Sequence, residues 1–93
     1  MRTVYVIRDK VSLQCSPLFL CPNDESAIRE FNQFLSNMTI SWTDFELYAL
    51  ALFEPDTCEL CDIDGGRRLV YTGRECEEEK LSKLKVEEKY HGE

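Results

Sequence analysis

The run Phe45–Phe53, FELYALALF, is the most apolar stretch of the chain and most restricts what it can fold into. At a period of two, Phe45, Leu47, Ala49, Ala51 and Phe53 fall on one side, and Tyr48, Leu50 and Leu52 on the other. Both sides are apolar, as in a strand in the middle of a sheet covered on both faces. Leu and Ala also favour helix. The run is short, however, and Pro55-Asp56-Thr57 follows it directly as a turn. Glu59-Leu60 then starts a return strand, so the stretch reads as a hairpin.

The rest of the chain supplies partners for that strand. Arg2–Arg8 is rich in β-branched and aromatic residues, with Val4 and Val6 facing one way and Tyr5 and Ile7 the other. Val11–Cys21 reads as a second strand, and Pro17 within it points to an edge position or a bulge. A helix follows. Asn23 can cap it, Asp24 and Glu25 suit its positive end, and Ala27, Ile28, Phe31, Phe34 and Leu35 form one stripe ending near Ser36-Asn37. Trp42, just before the central strand, is expected to clamp the helix against the sheet. Asp64-Gly65-Gly66 marks a second turn and Arg67–Thr72 a last strand.

This pattern predicts an α+β fold in one domain over residues 1–74: a mostly antiparallel sheet of four to five strands in the order β-β-α-β-β-β, with one amphipathic helix on one face. Residues 75–93 are highly charged, with weak stripes from Leu81 and Leu84 and from Val86 and Tyr90, and are expected to be a solvent-facing helix or a tail. One helix cannot cover both sheet faces. The face bearing Tyr48, Leu50 and Leu52 is therefore expected to be a homodimer interface.

Charge and composition exclude several functions. The net charge is −7. Residues 1–74 hold seven Lys/Arg against eleven acids, and residues 75–93 hold four against seven, so neither part is basic. Tight non-specific duplex binding needs many phosphate-neutralising cations. Stacking on a single strand with a local basic patch does not. Arg67 and Arg68 with Tyr71 are the best local signal of that kind, and Arg8 and Lys10 at the end of the first strand can join them. The competing reading makes Arg67 and Arg68 turn-flanking charges that offset Asp62 and Asp64. No apolar run is long enough to cross a bilayer, and the start of the chain has no secretory signal, so no membrane partner is expected.

Nothing points to catalysis. His91, the single histidine, sits in the charged tail, and Asp44, Glu46 and Glu54 read as solvated strand positions. There is no phosphate-binding glycine loop. Cys58-Glu59-Leu60-Cys61 is half of a zinc knuckle without its second half; Cys15, Cys21 and Cys76 are scattered. The five cysteines are expected to be free thiols in a reducing compartment, with no metal and no cofactor.

Four places give the chain a family resemblance. They are VYVIRDK at the start, SPLF at Ser16–Phe19, NDESAIREFNQFLSN at Asn23–Asn37, and DFELYALALFEPDT at Asp44–Thr57. In order and spacing these resemble the small nonstructural protein of gokushovirus-type microviruses, whose patterns read ND-x-x-A-x-R-x-F and DF-x-LY-x-L-x-x-F-x-x-x-T-G. The match covers about residues 1 to 60. It departs at Cys58, where the family has a turn-closing Gly, so either Cys58 takes a strained φ or the turn differs. The resemblance implies a bacteriophage nonstructural protein of the host bacterial cytoplasm, bound to single-stranded DNA during genome replication. The alternative is an acidic, dimeric interaction module that binds a phage or host replication protein without touching DNA.

Overall fold

The computed structural model describes residues 1–39 and 41–91, with side chains up to residue 82. The fold is α+β. Two long strands, β1 (Arg2–Asp9) and β4 (Phe45–Glu54), pair antiparallel along their whole length, from Arg2 opposite Phe53 to Asp9 opposite Phe45. Tyr5 and Ile7 on β1 and Phe45, Leu47 and Ala49 on β4 point into the core.

The strict alternation expected for β4 does not hold. Val4 pairs with Ala51 and Tyr5 with Ala49, so Leu50 has no opposite residue. One extra residue reverses every later side chain, because the strand period is two. Beyond this bulge Leu52 lies opposite Thr3 and shares the face of Tyr5, while Ala51 and Phe53 move to the face of Val4. Tyr48 and Leu52 are thus on opposite faces, which corrects the expected Tyr48–Leu50–Leu52 surface.

Each long strand is flanked on its outer side by two short ones. On β1 these are β2 (Gln14–Cys15) and β3 (Phe19–Cys21). On β4 they are β5 (Glu59–Asp62) and β6 (Arg68–Thr72). The single strand expected over Val11–Cys21 is split, and Pro17 is part of the reason: it has no N–H for a ladder. Next to it the Ser16 hydroxyl accepts from the Ile7 amide (3.0 Å) and donates to the Pro17 carbonyl (3.0 Å). Residues 11–13 form a turn instead, with the Asp9 carboxylate accepting from the amides of Val11 (2.9 Å) and Ser12 (3.3 Å). Leu13 closes it at φ 60.

Helix α1 (Asp24–Ser36) covers one face. The Asn23 side chain caps it by accepting from the Ser26 amide at 2.9 Å. Ala27, Phe31 and Leu35 are fully buried, and Ile28 and Phe34 pack beside them. Phe31 meets Tyr71 edge-to-face at 6.2 Å, and Phe34 meets Phe45 the same way at 5.4 Å. Burial of each such large apolar side chain stabilises the fold by about 1.5–3 kcal/mol.

The charged tail is helix α2 (Gly73–His91), and it starts inside the core. Thr72 and Glu75 form a reciprocal cap: the Glu75 amide donates to Thr72 Oγ1 (3.1 Å) and the Thr72 amide to Glu75 Oε2 (3.2 Å). Cys76 is buried, and its thiol donates to Asn32 Oδ1 of α1 at 2.9 Å. Trp42 opens a 3₁₀ turn (Trp42–Asp44), packs against the core, and carries the Lys80 ammonium 4.3 Å above its ring. Gly73 passes so close to this turn that a Cβ there would overlap the Trp42 carbonyl. Leu81 is exposed; the expected stripe residues Leu84, Val86 and Tyr90 lie outside the described side chains.

Candidate functional site

Among the described residues, the face of the sheet opposite α1 remains open. It carries Val4 and Val6 of β1, Leu20 opposite Val4, Tyr48 opposite Val6, and Leu69 opposite Tyr48. The two valines are buried by their sheet neighbours, but Leu18, Leu20 and Leu69 stay 62%, 44% and 49% exposed. Such a contiguous apolar surface is a mark of binding.

A hollow of about 200 Å³ lies on this face. Val6, Leu18 and Leu50 supply apolar walls, and Arg8, Arg67 and Tyr48 also line it. The Arg67 guanidinium lies 4.9 Å from the centre of the Tyr48 ring, a cation–π contact. The Tyr48 hydroxyl donates to Glu46 Oε1 at 2.9 Å. Burial and that carboxylate push the Tyr48 phenol up, so it stays neutral at physiological pH.

The expected nucleic-acid residues are divided by the pleat. Arg67 is on the open face. Arg68, one residue on, lies opposite Ala49 on the helix side. There it grips Asp24 at the start of α1 with two hydrogen bonds, 2.9 and 3.1 Å. The Tyr5 hydroxyl donates to the same carboxylate at 2.7 Å. Asp24 is held below the usual carboxylate range, chiefly by Arg68, and burial pushes Tyr5 up to about 12. The Asp24 carboxylate thus ties β6, through Arg68, and β1, through Tyr5, to the helix.

Tyr71 would share the face of Arg67 in a regular strand. Instead β6 slips by one residue, with Leu69 opposite Tyr48 and Tyr71 opposite Leu47. Val70 is the extra residue, and Tyr71 turns into the core, where it is 9% exposed. Its hydroxyl is pushed up by burial and then by the neighbouring Glu79 carboxylate. Lys10 lies past the end of β1, its amide bonded to the Asp44 carbonyl (2.8 Å), beside Thr72 and Arg74 rather than Arg67. Of the five residues Arg8, Lys10, Arg67, Arg68 and Tyr71, the fold brings Arg8 and Arg67 to one hollow. They join Tyr48 and Leu50, which the sequence pattern places in a dimer interface. Leu18 was not anticipated there; its signal is that it follows Pro17, where the edge strand breaks.

The cysteine pair is opened by its strand. Glu59 and Leu60 are extended, so about 3.3 Å of rise per residue sets Cys58, in the turn, roughly 10 Å from Cys61, in β5. One zinc ion holds its thiolates at about 2.3 Å each, which this spacing cannot supply. Among the described residues no three of His, Cys, Asp and Glu are grouped to hold a metal ion, and the five cysteines form no disulfide. Cys58 takes φ 59, so the turn keeps its left-handed closing position with a side chain there.

Among the described residues no helix is long and apolar enough to cross a membrane. Searches of curated proteins and of solved structures return no match to the chain. The family model described as Phage ORF5 protein matches residues 2–76. The chain, a bacteriophage protein by this match, belongs to the Phage ORF5 protein family.

Proposed function

We propose that this phage protein acts without catalysis, binding single-stranded DNA through the open sheet face during genome replication in the host bacterial cytoplasm. The observation that carries the reading is the convergence of Arg8, Arg67 and Tyr48 on one apolar hollow. Guanidinium groups take phosphates, and an aromatic ring with apolar walls takes bases. The resemblance to the gokushovirus nonstructural protein supports the replication role, and the net charge of −7 accords with modest rather than tight affinity.

The test is a titration of fluorescent single-stranded DNA at low and moderate salt. Two phosphate contacts predict a slope of log K against log salt of about −1.4. Arg8→Ala and Arg67→Ala should each weaken binding and flatten that slope. Arg68→Ala should not change the slope, because its charge is spent on Asp24. Absence of binding by folded protein at low salt would refute the reading.

A second reading uses the same face. Leu18, Leu60 and Leu69 are 62%, 68% and 49% exposed, an apolar surface suited to a second copy of the chain or to a phage or host replication protein. Sedimentation of the free protein tests the homodimer: a concentration-dependent dimer abolished by Leu69→Glu supports it, and a monomer at high concentration refutes it.

A further inference from the structure

We infer that the hollow between β1 and β4 accepts one unpaired base of the strand and does not read which base it is. The inference rests on the single-stranded-DNA reading above and names its ligand more narrowly.

Size comes first. The hollow measures about 200 Å³. A cavity of about 150 Å³ is enough to hold benzene. Pockets for larger organic ligands begin near 300 Å³. The space therefore suits one planar ring system. A base inside a duplex is stacked and paired and cannot enter it, so the site selects for single strands.

The polar inventory decides the rest. Reading a base needs free donors and acceptors aimed at its edge. The Ser16 hydroxyl is already used, accepting from the Ile7 amide and donating to the Pro17 carbonyl. The Tyr48 hydroxyl donates to Glu46. No Asn, Gln, Asp or Glu lines the hollow. What remains is the Cys15 thiol, a weak donor, and the guanidinium groups of Arg8 and Arg67. The guanidinium groups serve the phosphates on either side of an inserted base. Val6, Leu18 and Leu50 then pack against the base with carbon, and the Tyr48 ring, which Arg67 leaves for the phosphate, offers flat surface to its face. Every base has such a face, so stacking discriminates little.

The experiment uses the full-length protein and fluorescence anisotropy at low salt. The probes are oligo-dT, oligo-dC and oligo-dA of equal length, an abasic oligonucleotide of the same length and charge, and a duplex. The three homopolymers should bind within about fivefold of one another, and the abasic strand and the duplex should each bind about tenfold more weakly than oligo-dT. Cys15→Leu, at an exposed position lining the hollow, should fill it without adding an aromatic face. It should bring oligo-dT down to the abasic level while leaving the salt slope intact. An abasic strand that binds within twofold of oligo-dT would overturn the base-in-hollow inference and leave the DNA reading standing on phosphate contacts. One homopolymer more than twentyfold tighter than the others would overturn the absence of base readout. Failure of every oligonucleotide to bind folded protein would remove the DNA reading itself.

Discussion

Replacing Cys58 by glycine should stabilise the protein. Cys58 closes the four-residue connection between β4 and β5 at φ 59, in the left-handed region. An L-residue there brings its Cβ close to the following carbonyl oxygen, at a cost of about 1–2 kcal/mol. Glycine removes that clash. It also makes the unfolded chain freer, which takes back about 0.4–1 kcal/mol. The thiol itself is exposed, so little packing is lost. The middle of each range gives a net gain of about 0.8 kcal/mol. For a domain of this size 1 kcal/mol moves Tm by about 4–8 °C, so Cys58→Gly should raise Tm by roughly 2–8 °C. The control is Cys58→Ala, which removes the sulfur but keeps the Cβ and the strain, and should leave Tm nearly unchanged. Calorimetry of the three proteins under reducing conditions separates the terms. If Ala stabilises as much as Gly, the thiol and not the backbone was the liability. If Gly destabilises, the left-handed turn carries no strain and the reasoning fails.

Three further outcomes follow from the same geometry. Gly73→Ala should cost about 2 kcal/mol or more in urea titration, because the new Cβ meets the Trp42 backbone, which cannot swing aside. Asp24 has its carboxyl lowered in the folded state, chiefly by Arg68, so the stability it contributes is complete above the ordinary carboxylate value of about 4 and is lost as pH falls through the lower folded value. Urea midpoints measured between pH 2 and pH 6 should therefore fall less steeply below pH 4 in Asp24→Asn than in the native chain. Arg68→Ala should lower the urea midpoint while Arg67→Ala leaves it close to native, since only Arg68 holds a carboxylate in a two-bonded grip; equal effects would show that the two arginines are not divided between faces.

Which features could be read in advance depends on whether a local signal sets them. α1 announces itself by a capping Asn23, two acids in the first turn and an apolar stripe, and all three do their work in the folded chain. The β4–β5 hairpin is equally plain, because Pro55-Asp56-Thr57 interrupts a long apolar run. The bulge at Leu50 has no such mark. Ala49, Leu50, Ala51 and Leu52 are all apolar, so a slip of one residue breaks no alternation that a sequence pattern could detect. The same holds at Val70, between Leu69 and Tyr71. These two slips decide the site: the first removes Leu52 from the open face and the second buries Tyr71. Arg8 and Arg67 were visible as charges at strand ends, but their meeting beside Tyr48 is a property of the sheet order. The start of α2 does carry a local mark, the Thr72-x-x-Glu75 spacing of its reciprocal cap, but Gly73 after a strand reads first as a terminator and masks it.

The broken outer columns of the sheet have a consequence for how this protein behaves when crowded. A long strand with an unpaired outer edge is a template on which further chains can add. Here neither outer column is long: one is two and three residues with Pro17 between, the other four and five residues with the Gly65-Gly66 turn between. The long strands β1 and β4, which would template well, are enclosed on both sides. Pro17→Val, by restoring an N–H between β2 and β3, would remove one of the interruptions in the border beside β1. A longer border is a better template for edge-to-edge pairing with further chains.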